Sequence, residues 1–240
     1  MKGDLSPFKR AQARDKSEFA APNYRQESEV WSAMNRYTFI IRLMPGKGQA
    51  VAGRLAAKAE AIRGEAAGLG LDNFSLWGVE DLLCGYGEWA GTGEVPGLPP
   101  SLTEAVGADG TLLCAPGTMR LMYHDIGIVR EDKSLIRHRV FVTRLKPGCE
   151  EEYKRRHDGL IAARGDAVSE GPDSNFTIWF GGGYIFGYCE KVKAFDREMT
   201  EAERASTVEW ETRQLEIMDW LTDDVDWITG QKHEAIRRVV

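Results

Sequence analysis

The 240-residue sequence lacks three features, those typical of nucleic-acid-binding, membrane-spanning and secreted proteins. Lysine and arginine total 31 against 37 aspartates and glutamates, so the excess of positive charge that nucleic acids and anionic membranes select is absent. No apolar run approaches the roughly 18 residues of a membrane span, and the polar N-terminus lacks the apolar centre of a secretory signal. We therefore expect a cytoplasmic protein without nucleic-acid or membrane partners.

Metal-ligand spacing is also missing. The four cysteines form no Cys-x-x-Cys pair, and they share no zinc-type pattern with the four histidines. We therefore expect reduced and mostly buried thiols and no metal site. A hydrophobic fraction of 42% supports an ordinary packed core.

The most informative feature present is an internal repeat. FIIRLMPG from Phe39 returns as FVTRLKPG from Phe141, an offset of 102 residues. At the same offset NFSLWG from Asn73 returns as NFTIWF, and GYGE from Gly85 returns as GYCE. Three blocks that stay in register over about fifty residues indicate a duplication.

The pattern within each copy predicts the fold. A β-branched run, a Pro-Gly turn, a helical segment and two short apolar runs predict β-α-β-β, and the second copy continues as TEAERASTVEWETRQLEIMDWL and HEAIRRVV. In the first copy a Gly- and Pro-rich stretch leaves room for only a short second helix. We predict an α+β protein with two ferredoxin-like βαββαβ repeats, packed sheet to sheet as a dimeric α+β barrel within one chain. The boundaries are an N-terminal arm, 1–36, a degenerate first repeat, 37–131, and a second repeat, 132–240.

Two differences between the copies lie at inward-facing positions of the first helix. Tyr153 and His157 stand where the first copy has Val51 and Leu55, which lie on the apolar stripe expected to face the sheet. One interpretation is a buried pair that hydrogen-bonds internally. The other is a functional pair, because replacing aliphatic groups with polar ones costs ~1–3 kcal/mol each unless something uses them.

The second copy resembles a known family. FVTRLKPGCEEEYKRRHDGL followed by NFTIWFGGGYIFGYCE is similar to the L-rhamnose mutarotases, small dimeric α+β barrel proteins that interconvert sugar anomers. In that family a strand leads through Lys-Pro-Gly into a helix with Glu-Tyr-x-x-x-His, and a strand with an Asn-aromatic pair follows. The resemblance implies that Tyr153 and His157 are the active-site tyrosine and histidine. Where the family has a Trp-Trp pair on its second helix, this chain has RQLEIM, so the substrate stays open.

Anomer exchange needs only proton carriers, and so the resemblance implies no cofactor. One proton leaves the anomeric hydroxyl and another reaches the ring oxygen. His157 can act as base and acid near neutrality, and Tyr153 can position or relay the second proton. We therefore hypothesise a small-molecule isomerase whose catalytic groups are His157 and Tyr153.

Further substrate-binding candidates come from strand alternation and from the terminal strands; they are Trp179, Asn175, Tyr188, Arg144, His124 and His233. For the tryptophan, the tyrosine and the arginine, whose counterparts in the first copy are Trp77, Tyr86 and Arg42, a scaffold role in both halves is the alternative. For the two histidines the alternative is a solvated position at a strand end.

Other functions remain open beside the isomerase. The same architecture hosts cofactor-free oxygenases, cyclases and lyases, and a non-catalytic protein that binds a small ligand would also explain an inward polar pair. Association of the internal pseudo-dimer into larger oligomers is compatible with the sequence as well.

Overall fold

The computed structural model describes residues 35–127, 132–165, 173–193, 200–222 and 236–240. The strands are β1 Asn35–Leu43, β2 Leu71–Val79, β3 Leu82–Trp89, β4 Gly110–Cys114, β5 Arg120–Gly127, β6 Ile136–Leu145, β7 Asp173–Gly181, β8 Tyr184–Val192, β9 Met218–Thr222 and β10 Arg237–Arg238. The helices are α1 Gly48–Ala57, α2 Ala59–Gly68, α3 Pro100–Val106, α4 Glu150–Arg164 and α5 Glu201–Gln214. Residues 1–34 of the expected N-terminal arm lie outside the described residues.

The ten strands form two antiparallel sheets of equivalent topology. One has the order β10-β2-β3-β1-β4 and the other β5-β7-β8-β6-β9, so each strand of one sheet has a counterpart in the other. This confirms the predicted α+β fold with two ferredoxin-like repeats. Each sheet has one strand more than predicted, β4 or β9, and β9 lies in the end of a segment predicted to be helical throughout. The short α3 of seven residues agrees with a reduced second helix in the first repeat.

The last strand of each repeat pairs with the other repeat's sheet, which the sequence did not predict. β5 precedes the second repeat in the chain, yet it pairs with β7. The C-terminal β10 pairs in turn with β2 of the first repeat. The exchange ties the two repeats together through backbone hydrogen bonds, so neither sheet is complete within one repeat.

Three apolar clusters define the layers. Strand alternation sends Phe39 and Ile41 of β1 towards the first helical layer and Ile40 into the space between the sheets. In β6, Phe141 faces the second helical layer while Val142 faces the space between the sheets. The order is therefore helix, sheet, sheet, helix. None of the helices in the described ranges combines the length and the apolar character needed to cross a membrane.

A glycine in each repeat makes room for a phenylalanine on the neighbouring strand. A Cβ placed on Gly85 would lie 2.0 Å from the ring of Phe39, and one on Gly187 would lie 2.0 Å from the ring of Phe141. Both phenylalanines are buried, and the rings fill the space that a side chain would need. The duplicated glycines are thus required by packing.

We predict that Gly85→Ala and Gly187→Ala each lower the free energy of unfolding by about 1–3 kcal/mol, because the added methyl group displaces a buried ring. Gly64→Ala is the control, since its Cβ meets nothing within 4 Å and the residue lies in α2. The control raises stability by about 0.5–1 kcal/mol. Denaturant unfolding of the three variants measures this, and equal stabilities would contradict the packing argument.

Candidate functional site

Tyr153 and His157 are the buried residues of α4, and they face the second sheet. The helix follows the Lys-Pro-Gly turn, in which Gly148 takes a positive φ of 78° that glycine adopts without strain. Tyr153 is 2% exposed and His157 5% exposed. Their rings stack with the centroids 4.2 Å apart. The inward placement inferred from the aliphatic residues of the first repeat is therefore observed.

One ring nitrogen of His157 is held by the helix itself. Its Nδ1 lies 2.9 Å from the carbonyl oxygen of Tyr153. A carbonyl can only accept, so Nδ1 carries the hydrogen and Nε2 carries the lone pair. Burial lowers the pKa of His157 to about 4, which keeps the imidazole neutral near pH 7. Burial also raises the pKa of Tyr153, which therefore stays protonated.

Further aromatic rings surround this imidazole. Tyr123 of β5 meets His157 edge to face at 5.5 Å, and Trp210 of α5 does so at 5.4 Å. Phe176 of β7 packs against Tyr123 at 5.3 Å. Sequence reasoning missed Tyr123 and Trp210, although each belongs to a segment that it assigned correctly, the strand with YHDI and the second helix.

Two buried polar side chains on the helical side of the sheet have no hydrogen-bond partner within the described residues. Thr143 of β6 is fully buried with its Oγ1 unpaired, and it shares a strand face with Phe141 and Leu145, which pack near Tyr153. Gln214 lies one turn after Trp210 on α5 and is 2% exposed, with both amide atoms unpaired. Such groups are costly to bury without a partner, so these two are unsatisfied polar groups of the layer that contains His157.

The other predicted binding residues do not join His157. Asn175 and Trp179 of β7 and Tyr188 of β8 lie between the two sheets, and His124 pairs with the neighbouring Thr177 on that face. The second sheet therefore separates these residues from His157, because alternate residues of a strand face opposite sides. Arg144 is exposed, with its guanidinium over the ring of Tyr184. His233 lies outside the described residues.

Two buried carboxylates meet between the sheets, which the sequence reasoning also missed. Glu88 and Glu190 are 1% and 0% exposed. The Nδ2 of Asn175 donates to both at 2.5 and 3.1 Å, and the Nδ2 of Asn73 donates to both at 3.2 and 2.8 Å. Asn73 and Asn175 are repeat equivalents, as are Glu88 and Glu190, so two of the three repeated sequence blocks supply this carboxylate–amide cluster.

Tyrosines and cations complete the cluster. Tyr86 and Tyr188 stack in parallel with the ring centroids 3.5 Å apart, and their hydroxyls donate to the two glutamates. Lys133 forms an ion pair with Glu190 at 2.8 Å, and Arg36 donates to the Oδ1 of Asn175. Both carboxylates are thus satisfied by protein groups, as a structural role requires. Among the described residues, no three acidic, histidine or cysteine side chains are grouped to hold a metal ion.

Comparison with known proteins finds a family model and several solved structures similar to this chain. No curated protein matches the chain. A solved structure described as an anthrone oxidase-like protein aligns at 12% identity and a TM-score of 0.39, over 75% of this chain and 87% of that one. The family model for L-rhamnose mutarotase matches residues 138–239, which contain Tyr153 and His157. This match confirms the resemblance found in the sequence, and the second repeat is similar to the L-rhamnose mutarotase family over these residues.

Proposed function

We propose that the protein is a cofactor-independent isomerase of the mutarotase type, which acts on a sugar or a related hydroxylated ring through His157. The main observation in support of the proposal is the tautomer and protonation state of the His157 imidazole. Its Nδ1–H is bound to a backbone carbonyl, and its pKa is low enough to leave a basic Nε2 at neutral pH. The family match over the same helix supports the same chemistry.

The reaction needs two proton transfers and no redox step. The Nε2 of His157 takes the proton of the anomeric hydroxyl while the ring oxygen receives a proton and its bond to the anomeric carbon breaks. Rotation about the adjacent carbon–carbon bond and reversal of the two transfers give the other anomer. Tyr153, protonated at neutral pH, positions the substrate or relays the second proton.

The surroundings of His157 suit a hydroxylated ring. Tyr123 and Trp210 offer flat apolar faces, and Thr143 and Gln214 offer hydroxyl and amide groups that have no partner among the described residues. A small-molecule site commonly combines such aromatic walls with a few convergent polar groups. The ligand that fits this combination has one apolar face and several hydroxyls.

A second candidate is favoured by the number of aromatic rings. Tyr153, Tyr123 and Trp210 all contact His157, which also suits an aromatic substrate of a cofactor-free oxygenase, cyclase or lyase. A neutral buried histidine is equally useful for removing a phenolic proton. Substrate screening therefore includes phenols as well as sugars.

We predict that His157→Leu, which installs the residue of the first repeat, lowers the rate of anomer exchange by about 100-fold or more while the fold is kept. Saturation-transfer NMR on a panel of reducing sugars measures the exchange. Arg155→Ala is the control on the same helix, since its side chain is 74% exposed and contacts only Glu152 among the interactions seen.

Equal exchange rates for wild type and His157→Leu across the sugar panel would remove the isomerase proposal. Turnover of a phenol that depends on His157 would establish the second candidate in its place. Tight binding of a ligand without turnover of either class would instead indicate a binding protein.

The pH dependence provides an independent prediction. The active form is the neutral imidazole, and burial lowers the pKa of His157 from 6.5 to about 4. The rate is therefore expected to stay level from pH 8 to about pH 5 and to fall tenfold per pH unit below about pH 4. The reaction rate is measured at each pH at which circular dichroism shows that the protein is folded. A fall in rate centred near pH 6.5 would contradict the prediction.

A further inference from the structure

One of the aromatic residues beside His157 comes from the first repeat. Tyr123 belongs to β5, which precedes the second repeat in the chain, and its ring meets the imidazole with the centroids 5.5 Å apart. An extra residue in β5 directs the side chain there, because Leu121 pairs with Trp179 whereas Tyr123 pairs with the adjacent Ile178. Such a β-bulge turns the side chain that follows it to the other face, here towards the helical layer in which Ile178 packs.

The first sheet has an aliphatic residue at the position of Tyr123. Its strand β10 is the counterpart of β5, and Leu76 is the repeat equivalent of Ile178. The carbonyl oxygen of Val240 accepts from the Leu76 N–H at 3.3 Å, so Val240 stands beside Leu76 as Tyr123 stands beside Ile178. Val240 is buried in one apolar cluster with the inward residues of α1. The replacement of aliphatic by polar aromatic groups therefore extends from the helix to a second, distant segment of the chain.

The end of α4 shows a further replacement of the same kind. Arg164, the last residue of α4, stands where the first repeat has the fully buried Ile62. Arg164 forms an ion pair with Asp125 of β5. The hydroxyl of Tyr123 donates to the same carboxylate at 3.4 Å. The strand and the helix are therefore joined at this ion pair as well as at the contact between Tyr123 and His157.

These contacts form a closed loop around the imidazole. Helix α4 carries both His157 and Arg164, and Arg164 binds Asp125. Asp125 holds the hydroxyl of Tyr123, whose ring packs edge to face on His157 at an angle of 64°. The ring of Tyr153 stacks on the imidazole with the centroids 4.2 Å apart. Rotation of the imidazole out of its plane would therefore have to displace Tyr153 or Tyr123, and Tyr123 is tied back to the helix itself.

We propose that Tyr123 is a positioning residue for His157, so that the site on α4 is complete only with a side chain from the first repeat. This role rests on the proposed isomerase function, in which the Nε2 of His157 takes a proton from the substrate. The carbonyl of Tyr153 fixes the Nδ1 atom of the imidazole. Tyr123 fixes the plane of the ring, and with it the direction of the Nε2 lone pair. Proton transfer depends steeply on such alignment.

Kinetics on a reducing sugar that the wild type exchanges give the first test. Tyr123→Val, which installs the residue of the first sheet, is expected to lower kcat about 10-fold and to raise KM by no more than about threefold. Tyr123→Phe keeps the ring and is expected to recover kcat to within about threefold of the wild type. Leu121→Val is the control on the same strand, since Leu121 is 39% exposed and lies before the bulge, on the face opposite His157.

Nitrogen NMR of the histidine side chains gives a second readout that needs no turnover. The two ring nitrogens of a neutral histidine give well-separated signals when one tautomer is populated, and the signals approach each other when two tautomers exchange. The wild type is expected to show the Nδ1–H tautomer alone at His157, with the signals assigned by their loss in His157→Leu. Tyr123→Val is expected to bring the two signals together, because a rotating ring leaves the carbonyl of Tyr153 for part of the time. Tyr123→Phe and Leu121→Val are expected to keep them apart.

Asp125→Ala tests the loop with all the aromatic rings in place. It removes both the acceptor of the Tyr123 hydroxyl and the partner of Arg164. The side chain of Asp125 is partly exposed, so the variant serves even where Tyr123→Val does not fold. It is expected to lower kcat about threefold to fivefold and to shift the two nitrogen signals of His157 in the same direction as Tyr123→Val.

Three results would overturn the proposal. The first is a set of His157 signals in Tyr123→Val or Asp125→Ala that matches the wild type. The second is a loss of kcat in Leu121→Val equal to that in Tyr123→Val, which would indicate a general effect on β5. The third is a loss in Tyr123→Phe as large as that in Tyr123→Val, which would assign the effect to the hydroxyl. If the wild type exchanges no sugar, the isomerase proposal fails, and the nitrogen signals still decide whether Tyr123 positions the imidazole.

Discussion

The arrangement of the two sheets depends on a pair of carboxylates that share their hydrogen-bond donors. Glu88 and Glu190 both accept from the Nδ2 of Asn175, at 2.5 and 3.1 Å, so their Oε1 atoms lie at most 5.6 Å apart, the sum of the two distances. Such groups are tolerated in a core only when every partner is in place, because an unpaired buried charge costs several kcal/mol. Sliding one sheet over the other would separate these hydrogen-bond partners. The cluster therefore selects one alignment of the two packed sheets, whereas apolar packing alone would allow several.

One strand of this cluster, β7, also borders the candidate site at His157. Asn175 reaches the carboxylates from a β-bulge in which it takes a φ of 49°, and it also holds Arg36. On the other face of β7, Phe176 supports Tyr123 beside His157. Neighbouring residues of one strand thus face both the space between the sheets and the space under the helices.

Comparison of the two repeats explains much of what the sequence could and could not predict. The offset of 102 residues correctly placed Tyr153 and His157 on the inward face, because Val51 and Leu55 are themselves fully buried on α1. It could not show on which side of the sheet a ligand would lie. Strand alternation assigned Asn175 and Trp179 to one face, but alternation does not say which layer covers that face. The structure places them between the two sheets, on the side opposite His157.

The sequence by itself determined the duplication, most of the helices and strands other than β4 and β9, and the replacement of aliphatic side chains by Tyr153 and His157, because each of these is local or repeats along the chain. Only the tertiary structure decided that β5 and β10 pair with the opposite repeat, since backbone hydrogen bonding carries no signature in side-chain periodicity. It also decided that Trp210 contacts His157 and that Glu88 meets Glu190, because contacts between distant segments depend on how whole layers pack.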